Sequence, residues 1–263
     1  MITQKPVVMT FAGSDPTGGA GVQADIETLA SLGCHACTVV TAITVQDTQG
    51  LKSFTPVEVG LFMAQTRSIL EDMPVAAFKL GMLGSAAIAQ ALYTLLEAYP
   101  HIPVVVDPVL ASGDGQVLVT EEMKVILKTL LIPLATVLTP NAREARSLAP
   151  EADTLNACGH ALLALGCQNV LITGGDEPSV DVKNQLFSHR QKTDEFVWPR
   201  FPQQCHGTGC TLAAAIAALL AQGCDPYNAI YEAQQFTWKA IEQALYLGQG
   251  QAIPNRFYWA QKT

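Results

Sequence analysis

The sequence has few charged residues and no basic cluster. Only 14% of its 263 residues are Asp, Glu, Lys or Arg, and the formal net charge is −8. An acidic chain without a basic patch is a poor partner for nucleic acid, and we expect no such partner. An anionic ligand would have to be bound by helix N-termini, a metal ion or single basic side chains.

Long apolar runs are also missing. The longest, residues 210–221, is far shorter than the roughly 20 residues that span a bilayer. The N-terminus leads directly into a strand-like run at 7–11 and lacks the longer apolar stretch of a signal peptide. The seven cysteines are odd in number and scattered, which favours free thiols over a disulfide framework. We therefore expect a cytoplasmic protein that does not associate with membranes.

Apolar, β-branched runs alternate with amphipathic helical patterns along most of the chain. Such alternation predicts an α/β fold with a mainly parallel sheet covered on both faces. The predicted strands are 7–11, 38–45, 76–80, 104–107, 136–138 and 170–173. The predicted helices are 21–32, 57–72, 86–97, 121–131, 142–148 and 154–165.

The pattern changes in the last third of the chain. Residues 184–189 and 193–198 predict a short antiparallel pair, and the helices 210–222 and 226–246 follow. No linker or internal repeat interrupts the chain, so we expect 1–263 to form a single domain. Ligands of open parallel sheets bind beyond the carboxyl ends of the strands. Suggestive segments follow six strand ends: 12–21, 46–50, 81–83, 107–115, 139–144 and 173–176.

The strongest local motif is His206-Gly207-Thr208-Gly209-Cys210-Thr211, at the start of a helix. Its glycines allow backbone N–H groups to turn inward, and a helix N-terminus adds positive potential, which together suit a transferring phosphoryl group. An ordinary glycine-rich N-cap is the alternative. The segment is not a Walker A loop. Cys210 lies in the first turn, where the pKa of a thiol tends to fall, so it is a candidate base, with a buried packing cysteine as the alternative.

Three further motifs lie at predicted strand ends. A Gly-rich loop at 13–21 opens the helix that carries Asp25 and allows close backbone approach to a ligand. Asn141 and Glu144 have the i, i+3 spacing that can hold hydrated Mg²⁺ beside phosphates, although both could equally cap a helix. Asp107 follows a buried strand, where a carboxylate is costly unless it is used. A turn-forming Asp107-Pro108 is the plainer interpretation.

In this order, the segments together resemble the hydroxymethylpyrimidine/phosphomethylpyrimidine kinases of thiamin biosynthesis, in the ribokinase-like superfamily. The resemblance extends from about residue 8 to about residue 220. The matching stretches are 12–21 with 23–25, 41–46, 79–83, 107–109, 139–141 with Glu144, and 206–211.

The resemblance implies a three-layer α/β/α ribokinase-like sandwich that uses Mg²⁺ and ATP as co-substrate. The implied reaction phosphorylates 4-amino-5-hydroxymethyl-2-methylpyrimidine to its monophosphate and then to the pyrophosphate. A homodimer is also expected. The implied site comprises a pyrimidine pocket of Gly13, Asp25, Gln46 and Met82, a catalytic set of Gly207, Thr208, Gly209 and Cys210, ATP contacts from Asp107, Asn141, Thr173 and Gly174, and Mg²⁺ at Glu144.

One departure from the family pattern is important. Thr173 stands where family members commonly carry a lysine that reaches the ATP phosphates, so positive charge near the phosphates is sparse. Two alternatives therefore stay open: a pyridoxal kinase of the same fold, and a pyrimidine-binding regulator without turnover. The amide of Gln46 favours the pyrimidine, because it offers a donor beside an acceptor, as an aminopyrimidine edge requires.

Overall fold

A computed structural model describes residues 5–113, 115–189 and 191–260 of the chain. The strands are β1 Val7–Ser14, β2 His35–Asp47, β3 Gly50–Pro56, β4 Val75–Leu80, β5 Val104–Val106, β6 Val137–Leu138, β7 Asn169–Ile172, β8 Asp181–Ser188 and β9 Gln191–Pro199. The α-helices are α1 Gly21–Ser31, α2 Val59–Asp72, α3 Ala86–Leu96, α4 Glu121–Ile126, α5 Ala142–Leu148, α6 Leu155–Ala164, α7 Thr208–Ala221 and α8 Pro226–Glu242.

The strands form a single sheet in the order β3-β2-β1-β4-β5-β6-β7-β8-β9. Neighbours from β2 to β7 pair in parallel. The other three pairs, β2 with β3, β7 with β8 and β8 with β9, are antiparallel. The mainly parallel α/β sheet predicted from the sequence is confirmed. Because the central strands share one direction, their carboxyl ends meet at one edge of the sheet.

Apolar residues cover both faces of the sheet. Along β1, Met9 and Phe11 point into one core together with Phe62 of α2. Val8, which directly precedes Met9, points into the opposite core, which α1, α7 and α8 complete. This alternation follows from the two-residue period of a strand. Helix α7 is buried along ten of its residues, because it is enclosed by the sheet and by its helical neighbours.

Several predicted boundaries are wrong in informative ways. The strand β3 was not predicted. Helix α8 ends at Glu242 rather than at residue 246, because Leu245 forms an antiparallel bridge with Ile253. The helix predicted at 121–131 is α-helical only over α4 and continues as a π-helical turn, Leu127–Leu131. The last antiparallel pair is confirmed, with longer strands than predicted.

The helices of the described residues do not include a membrane span. None of them is both long and apolar enough to cross a bilayer. The longest, α8, has 17 residues and carries polar side chains, and the apolar α7 has only 14. Both pack on the sheet and on each other.

Candidate active site

A cavity of about 260 Å³ opens at the carboxyl ends of the central strands. It brings together eleven of the thirteen residues that the sequence singles out, although they lie on seven separate stretches of chain. These are Gly13, Gln46, Met82, Asp107, Asn141, Glu144, Thr173, Gly207, Thr208, Gly209 and Cys210. Asp25 and Gly174 are not among the lining residues. Asp114, in the segment after Asp107, lies outside the described residues.

A larger cleft of about 1300 Å³ lies beside this cavity. The two spaces share Asn141, Thr173, Thr208 and Gly209 in their walls. Aromatic side chains such as Trp198 also line the cleft. A small compartment and a large one therefore meet at the N-terminus of α7.

The two compartments meet at the N-terminus of α7, and Gly207 is the N-cap of this helix. Gly207 has a left-handed φ of 83°, and an ideal Cβ on it would lie 1.8 Å from the backbone oxygen of Gly19. Only glycine fits there. Because glycine has no side chain to cap a helix, the first-turn N–H groups of Thr208, Gly209 and Cys210 retain hydrogen-bonding capacity for an anion. We call these residues, 207–210, the anion nest.

The Cys210 thiol lies where the cavity meets the nest, but it does not have the lowered pKa that its position in a first helical turn suggests. Burial raises its pKa to about 11, and the nearby Asp107 and Asp25 carboxylates add to this, whereas Lys79 opposes it. Desolvation thus outweighs the helix N-terminus. The thiol is neutral at physiological pH, so the expectation of a ready thiolate base is not supported.

Gly13, Gln46 and Met82 form one wall of the small cavity. An ideal Cβ on Gly13 would lie 3.3 Å from the Met82 sulfur, so these two residues pack closely. The Gln46 side-chain amide donates to Thr44 Oγ1 at 2.9 Å, and that hydroxyl donates to the Ser14 carbonyl at 2.8 Å. This chain of hydrogen bonds fixes the orientation of the Gln46 amide. Thr44 lies within the matching stretch 41–46, but the sequence did not single it out as a supporting residue.

Asp25 lies beneath the cavity instead of in its wall. Its carboxylate is fully buried and pairs with Lys79, which is also fully buried, at 2.9 Å between Oδ1 and Nζ. The Thr10 hydroxyl donates to the other carboxylate oxygen. Burial lowers the pKa of Lys79, but Asp25, Cys210 and Asp107 outweigh burial and raise it, so the ammonium stays charged. The structure thus separates Asp25 from the predicted pyrimidine pocket and places a positive charge under the nest.

Asp15 organises the Gly-rich loop at 13–21. Its carboxylate accepts hydrogen bonds from the N–H of Thr17 and of Ala20, each at 2.8 Å. Nε2 of His206 lies 3.2 Å from Asp15 Oδ2. Burial raises the pKa of Asp15, but the hydrogen bonds from His206 and Thr17 outweigh it and lower the pKa overall. Both residues line the small cavity, and the sequence offered only their membership of matching stretches as a sign of this role.

Asn141 and Glu144 make both contacts of a capping box at the start of α5. Glu144 Oε2 accepts from the Asn141 N–H at 3.0 Å, and Oε1 accepts from the Leu110 N–H at 3.0 Å. The interpretation that these two residues cap a helix is therefore correct. Yet both side chains also line the cavity, so capping does not remove them from the site.

Two buried carboxylates, those of Asp107 and Glu144, line the cavity and offer oxygen ligands to a cation. Burial raises the pKa of Asp107 to about 6, which Asp25 reinforces and Lys79 opposes. Burial, followed by the charge of Asp107, raises the pKa of Glu144 to about 7. No group of three or more His, Cys, Asp or Glu side chains that could hold a metal occurs in the described residues. This donor set fits Mg²⁺, which commonly uses one or two carboxylates plus phosphates and water.

The loop after β7 is shaped by an arginine. The Arg200 guanidinium donates to the carbonyls of Gly175 at 2.7 Å, Glu177 at 2.8 Å and Ser179 at 2.8 Å. Gly174 packs against β8, where a Cβ would lie 2.3 Å from the Lys183 backbone oxygen. Gly174 therefore shapes this loop without lining either space.

Among the described residues, two basic side chains line the large cleft, Arg143 and Arg200. Arg143 is largely exposed, and its Nε lies 3.5 Å from the Asp176 carboxylate. Arg200 is held by backbone carbonyls, which are neutral, so its charge is not cancelled. Arg200 thus supplies positive charge to the cleft that Thr173 does not, whereas the charge of Arg143 is partly balanced by Asp176, which lines the same cleft.

Known proteins are similar to this chain over most of its length. Residues 15–255 match the family model described as phosphomethylpyrimidine kinase. A hydroxymethylpyrimidine/phosphomethylpyrimidine kinase of Mycobacterium bovis is 41% identical over 251 residues, covering 93% of this chain and 91% of that protein. The ADP complex of Bacillus subtilis pyridoxal kinase superposes with a TM-score of 0.90 at 30% identity, covering 98% of this chain and all of that one. A phosphomethylpyrimidine kinase of Clostridium difficile 630 superposes with a TM-score of 0.79 at 32% identity, covering 90% of this chain and 100% of that one. The ribokinase-like fold expected from the sequence is confirmed by these neighbours.

Proposed function

Because the chain belongs to the phosphomethylpyrimidine kinase family, and is therefore a phosphotransferase, we propose which substrates its two compartments bind. The small cavity takes 4-amino-5-hydroxymethyl-2-methylpyrimidine, and the large cleft takes ATP. The substrate oxygen forms a bond to the terminal phosphorus while the bond to the ADP oxygen breaks, and the hydroxyl proton leaves to solvent or a nearby carboxylate. The monophosphate then accepts a second phosphoryl group. The observation that carries this proposal is that two residues of the anion nest, Thr208 and Gly209, line both compartments.

The anion nest would stabilise the negative charge on the phosphoryl group while it is transferred. Phosphoryl transfer has a loose transition state, so positioning and electrostatic stabilisation provide most of the catalysis. The open N–H groups of Thr208, Gly209 and Cys210 would face the transferring group, and the buried Lys79 ammonium adds positive potential from below. Neither contribution requires a strong base. A neutral Cys210 thiol beside the reacting oxygen is compatible with this chemistry.

On the nucleotide side, we propose that Asn141 and Thr173 contact ATP where the compartments meet. Asp107 and Glu144 would hold the Mg²⁺ that accompanies ATP, and bound Mg²⁺ would neutralise phosphate charge. Because a cation favours the ionised carboxylates, it would offset the burial, and the smaller repulsion between carboxylates, that raise their pKa values. Arg143 and Arg200 would replace the family lysine in attracting the phosphates.

The test is ADP release measured with Mg-ATP and three acceptors in parallel. These are 4-amino-5-hydroxymethyl-2-methylpyrimidine, its monophosphate and pyridoxal. We expect turnover on both pyrimidines, with kcat/KM for pyridoxal lower by at least about tenfold. Turnover that favours pyridoxal would reverse the substrate assignment. ADP release with no acceptor added serves as the control for slow ATP hydrolysis.

Pyridoxal is a second acceptor that one observation favours. The Bacillus subtilis pyridoxal kinase superposes with a higher TM-score, 0.90, than the Clostridium difficile pyrimidine kinase, 0.79. We propose a minor activity on this flat heteroaromatic alcohol. A regulator without turnover is the weaker alternative, since the nest and both carboxylates are present and Arg143 and Arg200 supply the cleft with positive charge.

Gln46 provides a direct test of the pyrimidine pocket. Gln46→Ala removes the donor and acceptor that face the aminopyrimidine edge, so we expect the KM for the pyrimidine to rise about tenfold or more. The KM for ATP should stay within about threefold of wild type. Gln65→Ala, at a half-buried position of α2 that lines neither compartment, is the matched control. An unchanged pyrimidine KM in Gln46→Ala would mean that the pocket lies elsewhere.

The neutral Cys210 thiol predicts a specific pH dependence. If a thiolate were the base, kcat would rise about tenfold per pH unit up to the thiol pKa. The proposed transfer does not use a thiolate, and the Cys210 thiol stays protonated in this range because burial raises its pKa to about 11. We therefore expect kcat to be flat between about pH 7.5 and pH 9.5. Cys210→Ser should remain within about tenfold of wild type and show the same profile. A tenfold rise per pH unit that Cys210→Ser abolishes would restore the thiolate mechanism.

We also propose that the enzyme is a cytoplasmic homodimer. Each of the seven cysteines is unpaired, as expected in a reducing compartment. The edge hairpin of β2 and β3 exposes Ile43 and Val45, which are 54% and 57% accessible. Apolar side chains beside an open sheet edge favour covering by a second copy. A sedimentation coefficient of a monomer at assay concentration would contradict the dimer.

A further inference from the structure

The C-terminal segment reaches the active site from behind. Arg256 follows all the motifs of the site in sequence, yet its side chain is fully buried and only 1% of the residue is exposed. Its carbonyl accepts from Ser31 Oγ at 2.7 Å, and the preceding Asn255 N–H donates to the Ala240 carbonyl at 2.9 Å. A buried arginine is costly unless its donors are used. Its contacts therefore indicate what it does.

The Arg256 guanidinium joins three parts of the chain. Nε donates to Thr211 Oγ1 at 3.0 Å, in the first turn of α7. Nη1 donates to the Gly18 carbonyl at 3.1 Å and to Glu27 Oε2 at 3.0 Å, and Nη2 donates to the Gly19 carbonyl. Two backbone carbonyls of the Gly-rich loop thus converge on one cation. The planar fork of an arginine can reach these acceptors together, whereas the point charge of a lysine cannot.

The contacts of Arg256 lie next to the place where Gly207 of the anion nest packs most closely against the Gly-rich loop. The Gly19 carbonyl that Arg256 holds is the atom against which Gly207 packs, 1.8 Å from the position of an ideal Cβ. The Thr211 hydroxyl that Arg256 also holds donates to the Gly207 carbonyl at 2.9 Å. Arg256 therefore binds both partners of the contact between the Gly-rich loop and the anion nest: it donates to the Gly19 carbonyl on the loop and to the Thr211 hydroxyl on α7.

We propose that Arg256 is a positioning residue, which sets the distance between the acceptor side of the site and the anion nest. This inference rests on the proposed function for its kinetic readout, but its structural readout does not. Arg256 touches neither compartment, so it acts only through Gly18, Gly19 and Thr211. A displacement of the reacting groups by about 1 Å can cost about 100-fold in rate.

Arg256→Lys is the central variant, and Glu27→Gln is its matched control. Glu27 is the exposed partner of the ion pair, with 44% of its side chain accessible. If Arg256 acts through the loop and α7, Arg256→Lys should lower kcat about 100-fold, with the KM for ATP within about threefold. Glu27→Gln should keep kcat within about threefold. Equal kcat losses in the two variants would mean that the ion pair alone accounts for the effect, and would overturn the proposal.

Two further measurements keep the test independent of folding and of substrate. Thr211→Val removes the acceptor of Arg256 on α7 together with the hydrogen bond that this hydroxyl donates to the Gly207 carbonyl. It keeps Arg256 itself and should lower kcat about tenfold, so it replaces Arg256→Lys if that variant does not fold. Hydrogen exchange needs no substrate. Amides of residues 15–20 should exchange faster in Arg256→Lys than in Glu27→Gln, because the loop loses its anchor. Unchanged exchange there, or wild-type kcat in both Arg256→Lys and Thr211→Val, would refute the role. Inactivity of the wild-type enzyme on every acceptor would instead refute the proposed function.

Discussion

Gly207→Ala is expected to lower kcat by at least about 100-fold while the protein still folds. The new Cβ would lie 1.8 Å from the Gly19 oxygen and 2.7 Å from its carbon. The Gly19 carbonyl is held by Arg256, and its N–H donates to Thr17 Oγ1 at 3.1 Å. The loop and the nest must therefore separate, and the backbone must also adopt a left-handed φ with a side chain. Together we expect a loss of about 2–5 kcal/mol in the free energy of unfolding.

A glycine at the other end of the same helix is the control for Gly207→Ala. Gly223 has a similar left-handed φ of 88°, but no atom lies within 4 Å of its ideal Cβ position. Gly223→Ala should therefore cost about 1–2 kcal/mol from backbone strain alone, with kcat unchanged. Urea unfolding and steady-state kinetics on the two variants separate strain from displacement. A Gly207→Ala enzyme with wild-type kcat would mean that the nest does not position the phosphoryl group.

Lys79→Met should cause a large loss of stability. It leaves the Asp25 carboxylate buried without its partner, since both side chains are fully inaccessible. Breaking a buried pair in this way costs about 3–5 kcal/mol. By contrast, Lys52→Met breaks an exposed pair with Asp47, and should leave the urea midpoint unchanged.

The double variant Asp25→Asn/Lys79→Met tests the same account from the opposite direction. It removes both charges and keeps a group at position 25 that can bond the Thr10 hydroxyl, so most of the lost stability should return. Its kcat should stay below that of wild type, because the positive charge beneath Cys210 and Asp107 is gone. Wild-type stability in the single Lys79→Met variant would contradict the buried ion pair.

Much of the fold and the composition of the site could be predicted from local patterns. Period-two and helical spacing locate the parallel core, and the motifs at strand ends and at the start of α7 locate eleven residues of one cavity. Strand β3 was missed because its alternation is weak and most of its side chains are exposed. The end of α8 was missed because a long-range bridge between Leu245 and Ile253 decides it. Local propensity does not contain such pairings.

The chemistry of three residues could not be predicted for a related reason. Cys210 has a raised pKa because of burial, which its position in a helix does not reveal. Asp25 pairs with Lys79, 54 positions away, so the role of both depends on tertiary packing. Arg256 reaches the Gly18 carbonyl across 238 positions. A basic residue near the end of the chain gives no local sign that it will be buried in the site.

Mass spectrometry of the products formed from Mg-ATP and 4-amino-5-hydroxymethyl-2-methylpyrimidine tests the central claim most directly. We predict that the pyrimidine first gains one phosphoryl group and later a second, with one ADP formed for each. Pyrimidine that remains unmodified while pyridoxal in the same mixture is phosphorylated would contradict it.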